Sequence, residues 1–179
     1  MSDRPDPAET WLADAKTEEA ARARTRRRWL ATQAAENATM VGALADLADA
    51  GEEVVVGTLA GSEHRARVAV VGTDVVWLHA NGRAVLVALG AVSFVRAGPG
   101  ARPPTGDRGP APITLLGELE RLRDDGEDIA VRLTGGRTIA GRLEAVGVDV
   151  LTLRAGTGPG ALAYVPFDGL LEVEVVGSG

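Results

Sequence analysis

Ile129–Leu153 reads IAVRLTGGRTIAGRLEAVGVDVLTL, and most of it is written twice. Shifted back by 75 residues, it lies on Val54–Leu78, VVVGTLAGSEHRARVAVVGTDVVWL. With the preceding segment included, Leu44–Leu78 and Leu119–Leu153 agree at 13 of 35 positions, among them Gly51/Gly126, Gly61/Gly136, Arg67/Arg142, Gly72/Gly147 and Asp74/Asp149. Self-similarity at a fixed offset sets the architecture before any local reading does. One small module is used two times.

Each copy reads as a helix followed by five short strands. In the first, Val54, Val56 and Thr58 alternate with Val55 and Gly57, and Ala66, Val68 and Val70 alternate with Arg65, Arg67 and Ala69. That period of two marks half-buried strands. Gly72-Thr73-Asp74 makes a turn in which Gly can take positive φ and Asp can bond the adjacent backbone. Val75–His79, Ala84–Leu89 and Val92–Arg96 complete the set, with Asn81-Gly82 as a hairpin turn. In the second copy Thr114 is an N-cap, Leu115, Leu119 and Leu122 form the helical stripe, and Gly126 ends the helix. Ile129–Leu133, Ile139–Ala145, Asp149–Arg154, Ala161–Phe167 and Leu170–Val176 are its strands, and Ala155–Gly160 lengthens one hairpin by three residues. Five strands with tight turns predict a small closed barrel. GPGARPPTGDRGPAP, at Gly98–Pro112, reads as an extended linker holding the two barrels apart.

Before the repeats, residues 1–8 carry Pro5 and Pro7 among charges and read as disordered. Glu9–Ala50 is rich in Ala, Arg, Glu and Leu and reads as helix, with a break near Asn37–Thr39. Leu30, Ala34, Val41, Leu44 and Ala48 make an apolar stripe along one face. Arg22, Arg24, Arg26, Arg27 and Arg28 form a dense basic cluster on this arm, either a solvated face balanced by Glu18 and Glu19 or a contact for phosphate or an acidic partner. The net charge of −6 sits mainly in residues 113–179, with six basic and eleven acidic groups, whereas residues 1–43 carry seven of each. Acidic repeats argue against a broad phosphate-binding surface, so any nucleic-acid contact falls to the arm.

The absence of Cys excludes disulfides, thiol chemistry and the usual zinc spacings. No apolar run is long enough to span a bilayer, and the polar, acidic start is no secretory signal, so a cytoplasmic location and no membrane contact are expected. With only His64 and His79, and no second ligand at metal spacing, no metal site is expected; His64, aligned with Ile139, should point inward. Asp74 and Asp149 fit turn capping better than acid/base catalysis, and Gly135-Gly136 opens no helix and so makes no phosphate loop. No nucleophile has a matching base. Neither an enzyme, a cofactor nor a small-molecule substrate is expected. Trp77 should face outward, where the second copy has Thr152; either the arm or the other barrel covers it, or it anchors a partner or stacks a base. Of the arm's tryptophans, Trp29 is expected to dock on a barrel and Trp11 to be free for a partner.

At Val131–Leu143 the pattern V-x-L-x-x-G-x-x-x-x-G-x-L resembles the first motif of Sm-like proteins, which include the bacterial RNA chaperone Hfq. The helix-then-five-strand order is similar to that family, and YVPFDGLLEV at Tyr164–Val173 is placed like its second motif. Other small SH3-like barrels share the pattern, and the tandem layout resembles actinobacterial tandem-barrel proteins without an established activity. The pore chemistry is not carried over: Gly147 and Leu151 stand where Sm-like proteins have Asp and many have Asn, as do Gly72 and Val76 in the first copy. The Arg-Gly pair of eukaryotic second motifs is also missing.

The resemblance implies an α+β, mainly β chain with two tandem five-stranded Sm-like or SH3-like barrels, each preceded by a helix. The expected division is an arm at 1–43, a first unit at 44–98, a linker at 99–112 and a second unit at 113–179. Two functions follow. One is a non-catalytic cytoplasmic regulator contacting RNA or DNA through Arg22–Arg28. The other is a protein-interaction adaptor, or a self-associating one, whose barrels pair by exposed strand edges and whose Trp77 or arm engages the partner.

Overall fold

The computed structural model describes residues 7–99, 101, 108–156 and 160–177, without the side chains of residues 7–15 and 34. Residues 1–6 of the expected disordered tail and the ring of Trp11 lie outside that description, and Pro7 and Ala8 already belong to a helix. That helix, α1, spans Pro7–Glu36, and α2 follows at Met40–Ala50, so the chain breaks where Asn37–Thr39 predicts. Thr39 makes the break: its Oγ1 accepts from Gly42 N at 3.0 Å, satisfying one of the orphan donors of α2. At the other end Gly51 holds a φ of 62°, open to glycine at no steric cost. Replacing Thr39 by Ala is expected to cost about 1 kcal/mol, read as a lowered midpoint in thermal denaturation.

The break also divides the apolar stripe. Leu44 is fully buried and Val41 and Ala48 half-buried, but Leu30 is exposed. Trp29, expected to dock, is 58% exposed, and every described side chain from Lys16 to Glu36 faces solvent. A helix polar on all sides has no face to bury against a sheet.

The ten expected strands form, with ends shifted by one or two residues. They are β1 (Glu53–Thr58), β2 (Glu63–Val71), β3 (Val75–Ala80), β4 (Arg83–Ala88) and β5 (Val92–Ala97), then, after α3 (Leu115–Asp124), β6 (Asp128–Leu133), β7 (Thr138–Val146), β8 (Val150–Ala155), β9 (Leu162–Pro166) and β10 (Leu170–Val175). The repeat extends to register. Glu53 faces Arg67 as Asp128 faces Arg142, and an irregularity falls between Val68 and Val70 as between Leu143 and Ala145.

Where closed barrels held apart by a spacer were expected, the strands form one open antiparallel sheet in the order β5-β1-β2-β3-β4-β10-β6-β7-β8-β9. The physical reason lies at the middle. β4 finds its next neighbour in β10 of the second copy, with Val85, Leu86 and Val87 opposite Glu174, Val173 and Glu172. The backbone groups of that edge are satisfied across the seam and none is left to close the first copy on itself. β5 and β9 are the sheet's two ends.

The cores interlock at the same place. One cluster gathers Leu44, Val54, Val56, Val68, Leu78 and Val87 under α2, and takes in Leu171 from the second copy. The other gathers Leu119, Leu122, Ile129, Val131, Leu151 and Val173 under α3, and takes in Val75 and Leu86 from the first. Modules this small bury only a marginal core on their own, and sharing residues across a seam adds to that burial.

Candidate functional site: a cationic arm and a polar seam

Arg22, Arg24, Arg26, Arg27 and Arg28 are all exposed on α1. At 3.6 residues per turn, Arg22 and Arg26 fall on one side with Trp29, and Ala21, Arg22, Thr25, Arg26 and Trp29 line a shallow groove. Arg24, Arg27 and Arg28 project on the other side. Arg22 is drawn to Glu18, one turn back, with Nη2 3.1 Å from Oε2. Among the described residues the other four arginines have no ion-pair partner. On the sheet the cations are largely neutralised: Arg65 pairs with Glu53 at 3.1 Å, Arg96 with Glu63 at 3.6 Å, Arg142 with Asp128 at 3.4 Å and Arg154 with Glu144 at 2.7 Å. Arg154 holds the Glu144 carboxyl below its ordinary range, chiefly through its hydrogen bond. Among the described residues, four of the six arginines without an ion-pair partner are therefore on the arm, Arg67 and Arg137 being the other two.

The seam is the second concentration of polar chemistry. Glu172 on β10 is 2% exposed. Its Oε1 accepts from the Thr58 hydroxyl at the end of β1, and its Oε2 accepts from His64 Nε2 on β2 at 2.9 Å, which places a proton on that nitrogen. Arg132 on β6 stands 3.7 Å from the same Oε2 and donates to Ser62 Oγ at 2.9 Å. A carboxylate of the second copy is thus seated among first-copy donors. Burial would push its proton affinity up, but the hydrogen bonds of His64 and Thr58 and the His64 charge outweigh that and hold it below the ordinary glutamate range.

That direction fixes a pH dependence. A carboxyl whose folded pKa is depressed adds stability that is complete above the unfolded value of about 4.3. The contribution drains away as pH falls through the lower folded value. The wild-type chain is expected to lose thermal stability below about pH 4.3 more steeply than Glu172→Gln, as followed by melting temperature against pH.

His64 is turned inward as strand parity predicts, and its partner is Glu172 rather than an apolar core. Trp77 is half-buried against α3 of the second copy, its Nε1 donating to Glu118 Oε2 at 3.0 Å and its ring 5.5 Å from the Arg121 guanidinium. Asp74 does not bond its own turn. Its Oδ1 accepts from Leu115 N at 2.7 Å and so caps α3 across the seam. Gly72, likewise, has no positive φ; glycine is required because a Cβ there would stand 2.4 Å from the backbone oxygen of Ile113, which accepts from Thr73 N. The last residues of the linker are therefore docked on the β2–β3 turn, with Ala111 N donating to Val71 O at 2.8 Å. Backbone cannot retreat as a side-chain tip can, so Gly72→Ala is expected to destabilise the chain by about 2 kcal/mol, measured by chemical denaturation.

Sequence reasoning passed over Thr58, Arg132 and Glu172. The usable signal was in the repeat: polar Thr58, His64 and Glu172 replace apolar Leu133, Ile139 and Phe94 of the other copy. Among the described residues no group of three or more His, Cys, Asp or Glu could hold a metal ion, and no helix is long and apolar enough to cross a membrane. No protein-family model matches the chain, and no curated protein sequence matches it.

Proposed function

We propose that the protein is a non-catalytic cytoplasmic regulator that binds RNA or DNA through Arg22, Arg24, Arg26, Arg27 and Arg28, with two Sm-like or SH3-like units as its body. The observation that carries this reading is the contrast in charge pairing. The sheet's arginines are largely spent on neighbouring carboxylates, whereas four of the arm's five have no ion-pair partner among the described residues. Arginine's planar fork matches phosphate oxygens, and release of condensed counterions drives such contacts. Trp29, open to solvent about one turn beyond Arg26 in the groove it shares with Arg22 and Arg26, offers a face on which a base can stack. Acidic groups on the body keep nucleic acid off the sheet and direct it to the arm.

The full chain, recovered from cells with and without nuclease, tests this reading. Nucleic acid is expected to accompany the untreated protein and to be lost with Arg26→Ala/Arg27→Ala/Arg28→Ala. A protein partner that survives nuclease and is lost on deletion of the arm, with no nucleic acid recovered, overturns it in favour of an adaptor.

A further inference from the structure

We infer that two copies of this chain pair through α1, the helices lying antiparallel with the Trp11-Leu12 end of each against the Trp29-Leu30 end of the other. The inference does not rest on nucleic-acid binding. It rests on a second repeat, inside the arm: the dipeptide Trp-Leu at 11–12 returns at 29–30, 18 residues on. At 3.6 residues per turn that spacing is five whole turns. The two dipeptides therefore sit on the same side of a straight α1, with no drift between them. Between them on that side come Ala15, Glu18, Glu19, Arg22 and Arg26.

Charge decides which way the partner runs. Residues 7–19 hold four acidic groups and one basic, and residues 20–36 five basic and one acidic. Within one helix the two halves meet only at their junction, where Arg22 binds Glu18. A parallel partner would set like charge on like. An antiparallel one sets each half on its complement and opposes the two helix dipoles as well. The register that brings the dipeptides together puts Trp11 opposite Leu30, Leu12 opposite Trp29 and Glu19 opposite Arg22, each repeated by the two-fold symmetry. Trp29 is 58% and Leu30 52% exposed, and every described side chain from Lys16 to Glu36 faces solvent, so the rest of the described chain leaves this face open. A helix of 30 residues with no body packed against it draws little stability from tertiary contact, and a partner helix supplies it. Pairing covers Arg22, Arg26 and Trp29 and leaves Arg24, Arg27 and Arg28 open on the other side. A partner helix and a nucleobase thus compete for Trp29, while phosphate contacts by those three arginines do not depend on pairing.

The test uses the whole chain after nuclease treatment. Its mass in solution is expected to reach a plateau at twice the 18.5 kDa of one chain. Trp29→Ala/Leu30→Ala and Glu18→Arg/Glu19→Arg should each reduce it to one chain without lowering the melting temperature of the sheet, because the arm stands clear of both cores. Arg22→Glu/Arg26→Glu should do the same. An equal mixture of the two charge variants should recover the plateau, since each offers the other its complement. Because the chain has no Cys, Ala8→Cys and Gln33→Cys, opposite each other in this register, report the orientation. Under mild oxidation their mixture should form a disulfide-linked pair that neither variant forms alone. A single-chain mass at every concentration overturns the inference, as does a two-chain mass that survives Trp29→Ala/Leu30→Ala. No recovery in the charge mixture, or equal cross-linking of Ala8→Cys with itself, overturns it too. Each of these failures leaves the nucleic-acid reading standing, because no nucleic acid is present in the test.

Discussion

Glu172→Ala is expected to destabilise the chain by about 3 kcal/mol, as for other buried hydrogen-bonded charges that lose a partner. The size follows from what the carboxylate leaves behind. Thr58, 5% exposed, loses the acceptor for its hydroxyl, and His64 loses the acceptor for its Nε2 proton. Arg132 is partly open and can turn to water, which keeps the loss below the upper end of about 5 kcal/mol seen for fully buried pairs. For a chain of this length, about 3 kcal/mol corresponds to a melting temperature lowered by roughly 6–12 °C. Glu172→Gln retains an acceptor for the Thr58 hydroxyl and should lose less. A fall of under about 0.5 kcal/mol for Glu172→Ala, the range of ordinary surface changes, would show that the seam does not depend on this group.

The second large effect belongs to the arm. Arg26→Ala/Arg27→Ala/Arg28→Ala is expected to weaken nucleic-acid binding roughly a hundredfold at low salt, at about 1 kcal/mol for each phosphate no longer held by a guanidinium. The fold should be untouched. All three side chains are exposed and unpaired among the described residues, and surface changes of that kind stay within about 0.5 kcal/mol of neutral. Affinity and melting temperature, measured on the same variant, therefore separate a binding role from a structural one.

The strands and helices were legible because their signals are local. Alternation of Val56 and Thr58 with Gly57, or Thr39 and Thr114 placed ahead of apolar stripes, needs no knowledge of distant chain. The seam was not legible because it depends on which strand finds which edge. Gly98–Pro112 has the composition of a spacer, yet its end is tied to Val71 and Thr73 by backbone bonds that composition does not reveal. LLEVEV at Leu170–Val175 presents Glu172 and Glu174 as an ordinary solvent-facing pair. Only the first is buried, because Thr58 and His64 of the other copy lie over it. Trp77 and Asp74 follow the same rule, since both look outward within their own copy and meet α3 from the other. For the arm, the arginine cluster was plain from composition, while the exposure of Trp29 depended on α1 having no apolar face to dock.

The most direct test of the proposed function is a fluorescence-anisotropy titration of the nuclease-treated chain with labelled single- and double-stranded oligonucleotides across a range of salt. The logarithm of the association constant should fall linearly with the logarithm of salt concentration, and the triple arginine variant should show a slope shallower by about 2–3 units, as three fewer phosphates are neutralised. Binding insensitive to salt, an unchanged slope in the variant, or no binding to either oligonucleotide at low salt would contradict it.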